Sequence, residues 1–250
     1  MKLKYCDSYL MLQLLSLKAE LAGLPNVKIG TLRGRTVARV YSKNPDGRII
    51  YRTYFADTSD GQKYCGMAGR RFEIKKEIKS LENLIGKRIA NLMDNCKITL
   101  NGTILNDDLW FVLGNDENPR AKNGNYYHNG IQMRSRGEVL IAEILDELKL
   151  EYKYEPGLQF GRDVVYPDFL VHIACLKRCM IIEFFGMSDN EKYAFDTLNK
   201  MTLYAGNGLL MNRDILGLFG TKDTMVSNED IYNNIVMILN LQALEAVQLK

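Results

Sequence analysis

Two acidic residues lie inside short apolar runs in the second half of the sequence. Asp168 stands in the run YPDFLV, and Glu183 stands in the run IIEFFG. A lone charge is costly to bury in such surroundings, but two carboxylates on neighbouring strands are stable when a divalent cation that prefers oxygen ligands lies between them. The two runs therefore predict a metal site. In the alternative interpretation, each acid is structural and pairs with an arginine or a backbone donor.

A helix is predicted before these acids. Ser135 and Glu138 have the spacing of a capping box, and apolar residues follow at helical spacing up to Leu148. Glu138 therefore has two interpretations. It either points inward, towards the strand acids, or only bonds back to the N-terminus of its own helix.

A second helix is predicted after the strand acids. Ser188 and Glu191 form another capping box, and the helix that they begin is expected to end near Gly206. Four residues stand four apart and share one face of this helix: Lys192, Asp196, Lys200 and Tyr204. A strand over residues 209–219 and a helix over residues 230–241 complete the order helix, three strands, helix, strand, helix. This order is typical of a mixed sheet flanked by helices.

Four motifs, taken in order, resemble a known superfamily. They are MRSRGE at 133–138, YPDF at 166–169, EFFGM at 183–187 and K-x3-Y-x2-NG at 200–208. The pattern is similar to that of the PD-(D/E)XK nuclease superfamily and, within it, to a poorly characterised group of bacterial and phage-associated nuclease-like proteins. The resemblance covers residues 133–220 and extends weakly into the N-terminal half. It implies an α/β (mixed α+β) protein, with a restriction-endonuclease-like mixed sheet flanked by helices in the C-terminal half.

The resemblance also implies a reaction. Asp168 and Glu183 would bind Mg²⁺ or Mn²⁺, and Glu138 would reach the metal directly or through water. The metal would lower the pKa of a bound water and neutralise charge on the scissile phosphate of DNA.

A lysine that orients this water is part of the superfamily pattern, and it normally stands two positions after the second strand acid. This sequence has Phe185 there, and a phenyl ring can neither donate to a phosphate nor polarise water. Lys200 is the expected substitute and Lys192 the second choice, because the following helix can point a long side chain back towards the strand ends. In the alternative, each lysine is a solvated helix charge.

The first hundred residues carry most of the positive charge. They hold 19 Lys and Arg against 9 Asp and Glu, whereas residues 101–250 hold 14 against 21. A basic half fits a polyanion, although scattered surface charge gives the same imbalance. The sequence NPDG at 44–47 predicts a hairpin between strands at 36–41 and 48–55, and its tyrosines suit stacking on bases. The same pattern also fits a solvated sheet face.

The arginines expected to bind nucleic acid lie on this hairpin, on a helix predicted over residues 70–95 and beside the first capping box: Arg35, Arg39, Arg48, Arg52, Arg70, Arg71, Arg134 and Arg136. Three segments follow from these patterns. Residues 1–114 form a smaller basic α+β region, residues 115–132 a polar connecting loop, and residues 133–250 the nuclease-like domain. Within the first region, a short strand is predicted over residues 109–113. A leucine stripe predicts a helix that begins at residue 7 or 8 and ends near Gly23, and the stripe serves either the core or a dimer seam.

Composition excludes several classes of protein. No run of residues is apolar and long enough to cross a bilayer, and five scattered cysteines do not form a disulfide framework, so we expect a cytoplasmic protein. His172, Cys175 and Cys179 have the spacing H-x2-C-x3-C, but the zinc interpretation lacks a fourth ligand nearby. No phosphate-binding loop is present, so no nucleotide cofactor is expected.

The leading expectation is a metal-dependent endonuclease that hydrolyses DNA. A homodimer is a further expectation, because restriction-endonuclease-like folds often act as dimers. The alternative is a catalytically inactive nuclease-fold protein that binds nucleic acid or a protein partner, and Phe185 favours it. A regulator in a phage-defence setting is a third reading, for which the sequence has no positive motif.

Overall fold

The computed structural model describes residues 7–86, 96–98, 103–120, 122, 125–186, 191–220 and 226–249. Helices and strands are mixed along the chain, which confirms the mixed α+β class. Two compact units are present, one consisting mainly of Leu10–Ile98 and the other mainly of Thr99–Gln248. The division falls before the border predicted at residue 114, because the helix at Asp107–Val112 packs on a strand of the second unit.

The elements up to residue 98 build a three-stranded antiparallel sheet beside two helices. They are α1 (Asp7–Gly23), β1 (Asn26–Leu32), β2 (Arg35–Lys43), β3 (Ile49–Phe55) and α2 (Ser59–Ile85). A short strand outside this sheet, β4 (Cys96–Ile98), follows them. The strand order is β1-β2-β3, and α2 packs against all three strands. The predicted hairpin is confirmed: the Arg48 amide donates to Asn44 Oδ1 at 2.7 Å, and Gly47 has a φ of 79°, which glycine adopts without strain.

Helix α2 begins earlier than predicted, at Ser59 instead of residue 70. Thr58 caps it by accepting a hydrogen bond from the Gly61 amide at 3.1 Å. Gly61 lies directly against the Phe55 carbonyl, where a Cβ would come within 1.8 Å of the oxygen. A glycine in this turn therefore serves the packing of the helix on β3. Residues 87–95 of the predicted helix lie outside the described residues.

The second unit contains a four-stranded mixed sheet. Its elements are α3 (Asp107–Val112), β5 (Tyr126–His128), β6 (Ile131–Met133), α4 (Arg136–Glu147), β7 (Tyr152–Tyr154), β8 (Leu158–Phe160), β9 (Asp163–Val165), β10 (Phe169–Ile173), a 3-10 turn (Ala174–Leu176), β11 (Arg178–Phe185), α5 (Glu191–Gly206), β12 (Ile215–Phe219), α6 (Asn228–Ala246) and β13 (Val247–Leu249). The order in the sheet is β12-β11-β10-β7, with β7, β10 and β11 antiparallel and β12 parallel to β11. The hairpin of β8 and β9, which the sequence does not predict, comes between β7 and β10 in the chain and forms a separate two-stranded sheet.

Two predicted strands are wrong in whole or in part. Residues 109–113 belong to helix α3, because Asn106 caps its N-terminus by accepting from the Leu109 amide at 3.0 Å. Only Ile215–Phe219 of the predicted strand over 209–219 is extended. The residues before it turn around the buried carboxylate of Asp214, which accepts from the Leu210 amide at 2.9 Å.

Helices cover both faces of the mixed sheet. All five residues of β10 are buried. On one face, Tyr204 of α5 packs in a cluster with Leu170 and Ile181. On the other, Phe184 lies so close to Gly137 of α4 that a Cβ there would come within 2.2 Å of the ring. The ends of β10 and β11 thus lie between α4 and α5.

Localisation and assembly remain predictions. Within the described ranges, the structure contains no helix that combines the length and apolar character needed to cross a membrane. The expected cytoplasmic location and the expected homodimer both stay predictions.

Candidate active site

A cleft of about 990 Å³ opens where β10 begins and β11 ends. Its lining includes all four residues of the predicted catalytic set: Glu138, Asp168, Glu183 and Lys200. These residues come from α4, from the start of β10, from β11 and from α5. The fold therefore brings together side chains that lie up to 62 positions apart in the sequence.

Backbone geometry fixes the two strand acids. Asp168 directly precedes β10, and its Oδ2 accepts a hydrogen bond from the Phe184 amide of β11 at 2.6 Å. Glu183 lies one position earlier in β11 and is buried. Because β10 and β11 are antiparallel neighbours, with Phe169 opposite Ile182, the two carboxylates lie near the same end of this strand pair.

Glu138 bonds back to the N-terminus of its own helix and also contacts a residue of the sheet. Its Oε2 accepts from the Arg134 amide at 2.8 Å, just before the helix, while its own amide donates to Ser135 Oγ at 3.2 Å. The same Oε2 accepts from the Tyr154 hydroxyl, also at 2.8 Å. A purely local cap needs no buried tyrosine, so the contact with β7 fixes the carboxylate facing the cleft.

Lys200 reaches Glu183 from the following helix. Its Nζ donates to Glu183 Oε2 at 2.7 Å and to the Tyr166 carbonyl at 2.8 Å. The second oxygen of Glu183 accepts from the Tyr204 hydroxyl at 2.5 Å. One turn of α5 thus supplies a cation and a neutral donor to a single buried carboxylate. The side chain of Lys192, the second choice, lies outside the described residues.

The buried acids have raised pKa values. Burial raises the pKa of Glu183 to about 7, and Asp168 adds to the rise while Lys200 opposes it. Burial and the charge of Asp168 raise the pKa of Glu138, likewise to about 7. Burial also raises the pKa of Asp168. Burial disfavours the charged form of Lys200, but the carboxylates outweigh it and raise its pKa, so the lysine is a cation at neutral pH.

The donors in this cleft are of the type that a hard cation prefers, but they do not form a complete cage. Among the described residues, no group of three or more His, Cys, Asp or Glu side chains is arranged to hold a metal ion. Mg²⁺ commonly uses only one or two carboxylates and keeps several waters. Asp168 and Glu183 suit such a site, because the charge of Asp168 already raises the pKa of Glu183 and a cation would relieve that repulsion.

Phe185, at the usual lysine position, is a core residue. It is buried and stacks on Phe219 of β12 with ring centroids 4.9 Å apart. Replacing it with lysine would place a charge inside this aromatic contact. The lysine that lies in this cleft comes instead from α5, as Lys200.

Two of the predicted nucleic-acid contacts line the cleft, and one of them is engaged. Arg134 Nε donates to Glu155 Oε1 at 2.5 Å, and its Nη2 donates to the Arg120 carbonyl at 3.2 Å. Arg136 is exposed at the cleft and has no acidic partner among the described residues. Glu155, which the sequence prediction misses, is buried and also accepts from Asn118 Nδ2 at 2.9 Å. No local pattern around it signals these distant partners.

Three of the predicted contacts in the first unit have partners within the protein. Arg70 forms a two-pronged ion pair with Glu20, with both N···O distances at 2.8 Å. Arg71 donates to the carbonyls of Leu21 and Leu24 at 3.0 and 2.7 Å, which caps the C-terminal end of α1. Arg35 pairs with Asp57, as the structure places both beside the end of β3. The remaining three have no acidic partner within the described part of the chain: Arg39, Arg48 and Arg52.

The residues of the H-x2-C-x3-C motif do not form a zinc site. His172 Nε2 bonds Asp107 at 2.9 Å, and its ring stacks on Trp110 with centroids 4.8 Å apart. Burial raises the pKa of Cys175 and of Cys179 to about 12, which disfavours the thiolate that zinc requires. All three side chains belong to the packing around the turn between β10 and β11.

Comparisons with known proteins place the chain in no family. No family model and no solved structure matches it. The chain is similar to an uncharacterized protein of Methanocaldococcus jannaschii, with 30% identity over 129 residues, which is 48% of this chain. The match spans 10% of the length of that relative.

Proposed function

We propose that the second unit has a restriction-endonuclease-like fold. The support is the order of its elements: α4, the antiparallel strands β7, β10 and β11, then α5 and the parallel strand β12. The acids stand where the resemblance implies them, one before the second strand of the sheet and one inside the third. The hairpin of β8 and β9 is an insertion between the first two strands.

We further propose that the chain is a metal-dependent endonuclease that hydrolyses phosphodiester bonds of DNA. One observation carries this proposal: Lys200 Nζ lies 2.7 Å from Glu183 Oε2 at the wall of a cleft that also contains Asp168 and Glu138. A lysine from α5 thereby takes the role that Phe185 cannot take.

The residues have distinct roles in the proposed reaction. Asp168 and Glu183 would hold Mg²⁺ or Mn²⁺, which would supply an activated water and neutralise charge on the scissile phosphate. Lys200 orients the water and stabilises the charge that develops on the phosphate oxygens. Glu138 contacts water at the edge of the site, and the exposed Arg136 holds a neighbouring phosphate at the cleft. In the first unit, Arg39, Arg48 and Arg52 are the proposed contacts to the DNA backbone.

The test is a cleavage assay with labelled single-stranded, duplex and branched DNA in Mn²⁺ or EDTA. We expect Mn²⁺-dependent cleavage that Asp168→Asn and Lys200→Ala each reduce at least a hundredfold. Asp196→Asn is the matched control, because Asp196 lies on the same cleft-facing helix but is exposed. Intact DNA in every Mn²⁺ reaction of the wild-type protein would reject active hydrolysis.

A catalytically inactive protein that binds nucleic acid or a protein partner is the second candidate. The observation that favours it is that both oxygens of Glu183 have protein partners, Lys200 and Tyr204. On this candidate, the carboxylate and the lysine form a closed structural ion pair. It predicts DNA binding without cleavage and no binding of Mn²⁺ that depends on Asp168.

A further inference from the structure

One face of the N-terminal sheet carries two tyrosines and two cations side by side. The register pairs Tyr41 with Tyr51 and Lys28 with Arg39. Directly paired residues share a face, as do residues two apart, so these four side chains form one surface, which we call the stacking face. The two tyrosine rings lie 5.5 Å apart, and Lys28 Nζ lies 5.4 Å from the Tyr41 ring.

The cations of the stacking face lack anionic partners. Like charges directly opposite each other destabilise a sheet, and neither Lys28 nor Arg39 forms an ion pair with an acid within the described residues. Residues 26–55 hold seven Lys and Arg and one acid, Asp46. Arg39 lies across Gly30, where a Cβ would come within 2.8 Å of its guanidinium nitrogen. The sheet thus places two cations on one face, and neither has an acid among the described residues that would compete with a bound anion.

Tyr51 gives this surface a second property. It is 58% exposed even though its ring contacts that of Tyr41. An aromatic ring beside unpaired cations suits a ligand that alternates flat bases with phosphates. In a duplex the base faces are already stacked, so only a single strand can offer a base to Tyr51.

We propose that the stacking face binds single-stranded nucleic acid, with a base stacked on Tyr51 and backbone phosphates on Lys28 and Arg39. The proposal rests on the proposed function only for its choice of a nucleic-acid ligand. It adds the strand form and the residues that select it. DNA and RNA share the chemistry of base and phosphate, so both are arms of the test.

The test measures fluorescence anisotropy of the full chain with labelled oligo-dU, oligo-U and a duplex of equal length, all in EDTA. Tyr51→Ala is expected to weaken single-strand binding about tenfold, because one stacked base contributes about 1–3 kcal/mol. Tyr51→Phe should retain the affinity, and duplex binding should change less than twofold. The tighter single strand identifies the sugar that the face prefers.

Two controls make the outcome specific. Tyr127, which is 60% exposed and lies in the other unit, is matched to Tyr51 in exposure, so Tyr127→Ala should bind like wild type. Lys28→Gln should lower the slope of log affinity against log salt by about 0.7, as expected for one lost phosphate contact on a single strand. The binding assay contains EDTA and does not depend on metal-dependent cleavage, so this proposal and the proposed cleavage reaction can fail separately. Wild-type affinity for single strands in Tyr51→Ala, or tighter binding of the duplex than of the single strands, would overturn this proposal.

Discussion

Replacing Glu138 with glutamine tests how the fold holds its acids. The pKa of Glu138 rises from 4.5 to about 7 on folding, chiefly through burial and then through Asp168. A folded pKa above the unfolded value means that folding favours the protonated form. This stabilisation is complete at low pH and is lost as pH rises from about 4.5 to about 7. At 1.36 kcal/mol per pKa unit, the loss is roughly 3 kcal/mol.

Glutamine removes this titration and keeps an amide oxygen for the bonds from the Arg134 amide and the Tyr154 hydroxyl. Between pH 5 and pH 8, the free energy of unfolding of the wild-type protein should therefore fall by about 2–3 kcal/mol more than that of Glu138→Gln. The assay is urea unfolding in EDTA, followed by the fluorescence of Trp110, the only tryptophan of the chain. Trp110 lies in the same unit as Glu138, so the signal reports on the relevant core.

The matched control is Glu143→Gln, because Glu143 is exposed on the same helix. Its pH dependence should follow that of the wild-type protein. The reasoning fails if Glu138→Gln shows the wild-type dependence, since the buried carboxylate would then carry no folding-linked proton.

Three further substitutions give distinct expected results. Tyr204→Phe removes the hydroxyl that bonds Glu183 at 2.5 Å and should cost about 1.5–3 kcal/mol at pH 8 by urea unfolding; an unchanged midpoint would contradict this. Gly137→Ala forces a methyl group against Phe184 and should cost about 1–3 kcal/mol, as scanning calorimetry would show by a lower Tm. Arg71→Met removes the cap at the end of α1, so it should lower stability by about 1–2 kcal/mol without weakening DNA binding. A lower affinity for DNA at unchanged stability, measured by fluorescence anisotropy, would instead support the predicted contact between Arg71 and nucleic acid.

The acids of the cleft could be predicted from sequence because each carries a local signal. Asp168 and Glu183 interrupt apolar runs, and Glu138 stands in a capping box. Lys200 could be predicted because four-residue spacing places it on one face with Tyr204, and the structure gives both residues hydrogen bonds to Glu183.

The intramolecular partners of the arginines could not be predicted, because composition reveals only their charge. Arg70 meets an acid fifty positions away, and Arg134 meets Glu155, which has no local signal. The strand predicted at 109–113 failed for a related reason. Five apolar residues fit a strand or a helix equally well, and the Asn106 cap decides between them.

Titration calorimetry with Mn²⁺ at pH 6.5 tests the central claim most directly, namely that Asp168 and Glu183 form a cation site. The pKa of Glu183 is about 7, so cation binding should release protons, which appear as a dependence of the measured heat on the ionisation enthalpy of the buffer. We predict binding with proton release in the wild-type protein and its loss in Asp168→Asn. The absence of binding heat in wild type, or equal binding in Asp168→Asn, would contradict the account.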